Sequence, residues 1–234
     1  MNILAVGAHP DDIECFCSGT LLRYRAAGHR IFLALTTSGN AGSNVIPTTA
    51  EVAATREAEQ LVAARGYDAE VRFLRFDDQG LHDTPQTRRA VRSAIRWANP
   101  DVILTNPPWD MSTDHAVTGK LVADLMLSLG GNLHPSDVPP ITKAPSLFFW
   151  DIAAGLRFDP EAYVDISEHA EQKASLINTH VSQRAWMGEF FEDDFAEASM
   201  VLSRLRGLQS GTRYAEGFVG YQIQGFVADY RLLP

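Results

Sequence analysis

The stretch "VGAHPDDIECFCSG" (6–19) sets a histidine, two adjacent aspartates and a glutamate directly after the apolar run "NILAV". Neighbouring carboxylates near a low-dielectric core raise each other's pKa unless a cation neutralises them. The pair therefore belongs either in open water or beside a positive ion. Imidazole nitrogen with carboxylate oxygen suits zinc, and a catalytic zinc keeps three protein ligands and one position open to water. His9 and Asp12 can supply two ligands from one loop, while Asp11, pointing elsewhere, stays free as a base. Such a donor set can also hold iron(II) or cobalt(II). The third ligand should be a histidine on another loop, and His115 is the best placed. Asp114 beside it can cap a helix and orient an imidazole. His29 and His82 lack ligand-like neighbours, and His134 lies in the loop "GGNLHPSDVPP" (130–140).

The hydrophobic pattern shows what would hold these residues. "NILAVGA" (2–8), "RIFLALTT" (30–37), "EVRFLRF" (70–76), "DVILTN" (101–106) and "SLFFWDI" (146–152) read as strands, mostly buried on both faces. Between them, Val91, Ile95 and Ala98, and then Val122, Leu125, Met126 and Leu129, recur at helical spacing. Gly28 in "AAGH" and Gly66 in "ARGY" stand where a helix stops. The alternation predicts an α/β fold, a Rossmann-like, mostly parallel sheet with helices on both faces. Beyond residue 155, helices are expected over 167–180 and 193–207, and "YAEGFVGYQIQGF" (214–226) reads as a late strand. The chain is thus expected to be a single domain over 1–234, with a core of about 1–155 and a C-terminal α/β elaboration of about 156–234.

Ligands of open parallel sheets bind beyond the carboxyl ends of the strands. "HPDD", "TTSGNAGS" (36–43), "FDDQGL" (76–81) and "NPPWDMSTDH" (106–115) end the first four strands, so four polar loops converge on one rim.

Composition excludes several function classes. A 45% hydrophobic and 21% charged content is ordinary for a soluble globule. The net charge of −9 and pI near 5.2 argue against nucleic acid or an anionic membrane as partner. No apolar run reaches the length of a bilayer span, and the N-terminus lacks the basic segment and cleavage site of a signal peptide. Cys15 and Cys17 read as small core-filling residues rather than ligands, in keeping with a reducing cytoplasm. A dinucleotide-binding turn needs Gly-x-Gly-x-x-Gly. Here Gly7 and Gly19 enclose two aspartates that would repel a pyrophosphate.

At these residues the chain resembles a known family. "AHPDDIE" with the downstream "DH" is similar to the PIG-L/LmbE-like family of zinc-dependent N-acetylglucosaminyl deacetylases. "SGNAGS" (38–43), "TREAEQLVAARG" (55–66), "FDDQGL", "TDHAVTGKLV" (113–122), "KASLINTHVSQ" (173–183) and "YAEGF" (214–218) follow in the family's order. The resemblance implies that His9, Asp12 and His115 bind zinc. It also implies that Asp11 is the general base for a metal-bound water attacking the acetyl carbonyl. It further implies a small N-acylated amino sugar or glycoside as substrate and a homo-oligomeric assembly. The chain departs from the family at Ser112. Many members carry His-x-Asp-His where this sequence reads Ser112-Thr113-Asp114-His115. Serine is a poor general acid near neutral pH. Either another residue, such as His180 in "THVSQ", then takes the role, or Asp11 shuttles the proton itself as both base and acid; the second reading, with His180 as a helper, is preferred.

Other residues carry a functional and a plain structural reading side by side. Arg56 offers fixed donors to sugar hydroxyls or an anionic group, or else pairs with Glu59. Asp78 accepts from sugar hydroxyls or shapes an Asp-rich turn, and Glu14 supports the metal loop or bonds local amides. Trp109, Trp150 and Trp186 each read first as buried core, and Trp150, beside the fifth strand end, is the best candidate among them to stack on a sugar. The expected reaction removes an N-acetyl group from an amino sugar. An amidase of thiol-conjugate amides and a non-catalytic metal- or sugar-binding domain are the alternatives.

Overall fold

Side chains alternate between the faces of a strand, so an apolar run without polar interruption must be covered on both sides. The computed structural model, which describes residues 1–191, 194–223 and 226–234, meets that demand. Strands β1 (Asn2–Gly7), β2 (Arg30–Thr37), β3 (Glu70–Phe76), β4 (Val102–Thr105) and β5 (Ser146–Trp150) form a parallel sheet in the order β3-β2-β1-β4-β5. Strands β6 (Ala162–Asp165) and β7 (Ala215–Gly220) extend it with antiparallel pairings, β7 lying between β5 and β6. Connecting helices are α1 (Asp12–Phe16), α2 (Ser18–Ala26), α3 (Thr49–Arg65), α4 (Pro85–Ala98) and α5 (Thr113–Leu125). The C-terminal part adds α6 (Ala170–Ile177), α7 (Val181–Phe191), α8 (Phe195–Ser210) and a small hairpin, β8 (Gln222–Ile223) with β9 (Phe226–Val227).

Two hydrophobic layers result. Ile3, Ala5, Leu33 and Leu104 point to one face, under Leu21 and Tyr24 of α2 and Leu176 of α6. Leu4, Val6, Phe32 and Ile103 point to the other, under Val91 and Ile95 of α4 and Leu121 and Leu125 of α5. A polar contact also ties the C-terminal part to the first strand's loop. The Lys173 ammonium of α6 donates to Glu216 Oε1 of β7 at 2.7 Å and to the Cys15 carbonyl at 2.8 Å. Glu216 in turn accepts from the amides of Gly19 and Thr20 and the Thr20 hydroxyl, at the N-terminus of α2. A carboxylate there satisfies orphan donors and faces the positive end of the helix.

Several expectations need correction. The helix expected over 167–180 is a single 3-10 turn followed by the shorter α6, because the chain breaks at Thr179 and restarts as α7. The helix expected from 193 begins at Phe195, capped by Asp194, and residues 192–193 lie outside the described residues. The late strand is β7 followed by the β8–β9 hairpin, with 224–225 outside the described residues. Gly28 adopts the left-handed φ of +81° expected past a helix end, whereas Gly66 has an ordinary φ of −64°. Its reason is space: a Cβ there would lie 2.6 Å from Leu176.

Candidate metal centre and active site

Parallel sheets place their ligand crevice where neighbouring strands send their connections to opposite faces, here between β1 and β4. The ends of these strands are tied by the Ala8 amide, which donates to Asn106 Oδ1 at 3.2 Å. Helix α5 is pulled against the same point at Gly119, where an added Cβ would lie 2.1 Å from the Asn106 carbonyl. Only glycine permits that approach. One turn earlier on α5 stands His115, which is how a residue a hundred positions from His9 reaches it.

His9 Nδ1 lies 3.2 Å from His115 Nε2, and Asp12 Oδ1 lies 3.2 Å from His115 Nε2 and 3.9 Å from His9 Nδ1. The three donor atoms fall within 4.8 Å of one another. Tetrahedral bonds of about 2.0–2.1 Å put donors about 3.3 Å apart, so the spacing fits a small divalent ion. The remaining ring atoms support that assignment. His9 Nε2 faces Asp78 Oδ1 at 3.1 Å and Asp114 Oδ2 at 3.3 Å. His115 Nδ1 faces Asp110 Oδ2 at 3.1 Å. Carboxylates orient both rings from these outer nitrogens, so the two inner nitrogens face each other, each able to exchange a proton for a shared cation. Asp12 is fixed by its other oxygen, which accepts from the amides of Ala8 and His9.

The charge balance points the same way. Burial opposes a charged His115, but Asp12 and Asp110 outweigh it and hold its pKa up at about 9. Burial likewise opposes a charged His9, yet Asp114, Asp12 and Asp78 together keep its pKa well above the ordinary value. An acid-rich pocket that draws protons onto its ligands is one that attracts cations.

Asp11 lines the same cavity. Burial, opposed by the Arg56 guanidinium, pushes its pKa up to about 6. Its backbone has φ 120° and ψ −29°, a conformation costly to any residue with a side chain. Helix α3 holds it there. Gln60 Oε1 accepts from the Asp11 amide at 3.3 Å, and Arg56 donates to the Pro10 carbonyl at 2.6 Å, to Asp11 Oδ2 at 3.0 Å and to the Gly39 carbonyl at 3.0 Å.

The structure therefore brings His9, Asp11, Asp12, Asp78, Asp114, His115 and Arg56 into one neighbourhood, with differences from the sequence reading. Asp114 is not a cap: Ser112 occupies that position, and the Asp114 carboxylate accepts from the Gln79 amide and faces His9 rather than His115. The imidazole of His115 is oriented by Asp110, which sequence reasoning missed. Arg56 does not pair with Glu59, which accepts from Ser182 instead. His180 is fully buried away from the cavity wall, with Nε2 on Glu14 at 3.1 Å. Glu14, also fully buried, accepts from Gln60 and Tyr67 as well. Trp150 is fully buried and cannot stack on a ligand, while Trp186 lines the cavity. Cys15 and Cys17 are buried free thiols. Among the described residues, no helix is long and apolar enough to cross a membrane.

Residues 4–126 match the PIG-L family, described as GlcNAc-PI de-N-acetylase. The chain belongs to the PIG-L family. Over 235 aligned residues, spanning 92% of this chain and 81% of the relative, it is 26% identical to the diacetylchitobiose deacetylase of Thermococcus kodakarensis. The N,N'-diacetylchitobiose deacetylase of Pyrococcus horikoshii shares the fold at a TM-score of 0.82, with 22% identity, over 94% of this chain and 83% of that one. GalB, the 4-carboxy-2-hydroxymuconate hydratase of Pseudomonas putida KT2440, shares it at 0.81, with 18% identity, over 95% and 97%. One PIG-L-like backbone thus carries two reaction types, so the reaction must be argued from the site.

Proposed function

We propose that this PIG-L protein is a zinc-dependent deacetylase that hydrolyses the N-acetyl amide of an amino sugar or amino-sugar glycoside, releasing the free amine and acetate. The observation that carries the reading is the convergence of the inner donor atoms of His9, Asp12 and His115, within 4.8 Å of one another, beside the Asp11 carboxylate. A divalent ion bound there supplies Lewis acidity, which polarises the amide carbonyl and lowers the pKa of water toward neutrality.

The chain's own residues do the rest. Asp78 and Asp114 hold His9, and Asp110 holds His115, so that both rings aim their inner nitrogens at the ion, which would displace any proton there. Asp11 accepts a proton from the attacking water and delivers it to the departing nitrogen, which makes one carboxyl both base and acid. Ser112 stands where many relatives carry a histidine, and this shuttle does without one. Arg56 keeps the carboxylate of Asp11 aimed into the cavity by bonding it and the carbonyl on its N-terminal side. His180 acts at a distance, by fixing Glu14 behind the loop. Asp78 and Gln79, on the cavity wall, meet the sugar hydroxyls. The two reduced cysteines support a cytoplasmic setting, and the homo-oligomer implied by the resemblance belongs to the same reading.

The test is metal content and amine release from N-acetylglucosamine derivatives for wild type, Asp11→Asn and His115→Ala. Wild type should hold about one metal per chain, and His115→Ala should lose it. Asp11→Asn should keep the metal while turnover falls by about 10²–10⁴. Near-normal turnover of Asp11→Asn would remove the base assignment. Saturable sugar binding without amine release would make the protein a binding domain.

A further inference from the structure

The cavity that contains the His9–Asp12–His115 cluster extends well past it. Its volume is about 810 Å³. Pockets for drug-sized ligands measure roughly 300–1,000 Å³, so this one lies toward the upper end of that range and has room for more than an N-acetylated monosaccharide. The lining combines two chemistries, which meet on α7, where Gln183 stands one turn before Trp186 and Met187. Arg56, Asp78, Gln79 and Gln183 line one part, together with Gly42. The other part is lined by Phe16 of α1, Trp186 and Met187 of α7, and Phe195, Val201 and Leu205 of α8.

On α8 the lining positions 195, 198, 201, 202 and 205 recur at three- and four-residue intervals, one continuous stripe. Ten residues of helix separate its ends, about 15 Å of wall. Glu197 and Ser199 are the polar members of α8 along it, and Ser199 is already spent on the Cys15 carbonyl at 2.8 Å. Val201 is 61% exposed and Leu205 41%. Large aliphatic side chains thus stand open to water at the mouth of a cavity whose floor is charged. Sugar hydroxyls would find few partners there, whereas an alkyl or aryl group would cover surface now wetted.

We propose that the substrate carries an extended apolar group next to the scissile amide, seated against Trp186, Met187, Val201 and Leu205. The proposal rests on the deacetylase reading above and narrows its substrate class. The group arrives either as the aglycone of the amino sugar or as an N-acyl chain longer than acetyl, and the chemistry of the seat is the same for both.

The zinc-reconstituted full chain would be given methyl and hexyl glycosides of N-acetylglucosamine, and N-hexanoylglucosamine beside N-acetylglucosamine. Amine release would give kcat/KM, and calorimetry would give the affinities of the methyl and hexyl glycosides. Burial is worth about fourfold per methylene, so partial burial of the five extra methylenes of hexyl should raise kcat/KM at least about 30-fold in one arm. The arm that gains identifies which end of the substrate bears the group. In the exposed double variant Val201→Asp/Leu205→Asp, the ratio of long to short substrate should fall at least tenfold. Long and short substrates within about threefold of each other, in rate and in affinity, would overturn the proposal. So would a variant that changes the mass seen by light scattering but not the ratio, because the stripe would then be a contact between copies. If nothing is hydrolysed yet the hexyl glycoside binds at least about 30-fold tighter than the methyl, the apolar seat stands and the deacetylase reading falls.

Discussion

Replacing Lys173 with methionine tests whether the C-terminal part is held to the sheet by a buried ion pair. Lys173 and Glu216 are almost wholly removed from water, and the ammonium spans Glu216 and the Cys15 carbonyl. Removing one partner of such a pair costs about 3–5 kcal/mol, because the other charge is left buried. Here the loss belongs at the low end, since Glu216 keeps the Gly19 and Thr20 amides at 2.9 and 2.8 Å and the Thr20 hydroxyl at 2.6 Å. A loss of about 3 kcal/mol in a chain of this size lowers the melting temperature by about 6–12 °C. Scanning calorimetry of the metal-saturated protein would read it. The partner variant sharpens the argument. In Lys173→Met/Glu216→Gln the buried charge is gone, at the cost of one acceptor for the amides at the start of α2, so part of the loss should return. A drop below about 3 °C for Lys173→Met, or a double variant that loses as much as the two singles added, would refute the unpaired-charge reasoning.

Two further outcomes follow from contacts behind the metal ligands. Asp110→Asn should weaken zinc binding about 10–100-fold, since the outer carboxylate fixes the ring of His115 and its proton; competition with a chelating dye would measure it, and unchanged affinity would dismiss Asp110 as an orienting group. For His180, burial disfavours the charged ring, but the bond and charge of Glu14 with the charge of Asp11 prevail over burial and over Arg56, and the pKa is raised. A raised folded-state pKa contributes stability that is full below the unfolded value of about 6.5 and is lost as pH climbs through the folded value. The melting-temperature gap between wild type and His180→Gln should therefore narrow from about pH 6 to pH 9, and a constant gap would contradict it.

Much of the sheet could be read directly. Strands β1, β2, β4 and β5 are largely unbroken apolar runs, and such runs have few alternatives once they are too short to be helices; β3, interrupted by Arg72 and Arg75, is the half-buried edge. The pairing of His9 with His115 was legible because both follow strands of a parallel sheet, whose carboxyl ends share a rim. Asp110 was not, since an aspartate in "NPPWDMST" looks like any turn residue until α5 folds back over it. Helix α7 was missed because "VSQRAWMGEFF" has no single apolar stripe; it packs α3 on one side and α8 on another. Trp150 takes the core reading of the two that the sequence offers. Its place at a strand end suggested exposure, but β7 pairs with it through Phe218 and closes over it. Arg56 reads as a sugar contact or a helix ion pair, and only the tertiary fold reveals that it bonds the loop after β1.

The backbone at Asp11 brings a different consequence. A φ of 120° suits glycine, yet the chemistry asks for a carboxyl at this position. Selection for thermal endurance and selection for turnover therefore pull this residue in opposite directions. The outcome rests on α3, which contributes no reacting atom: while Gln60 and Arg56 grip the Pro10–Asp11 peptide and Arg56 also holds the carboxylate, an aspartate can persist where a looser scaffold would drift to glycine. Changes at those two positions would register first as lost activity in a protein that still folds. A lineage could so lose its chemistry while His9, Asp12 and His115 stay intact.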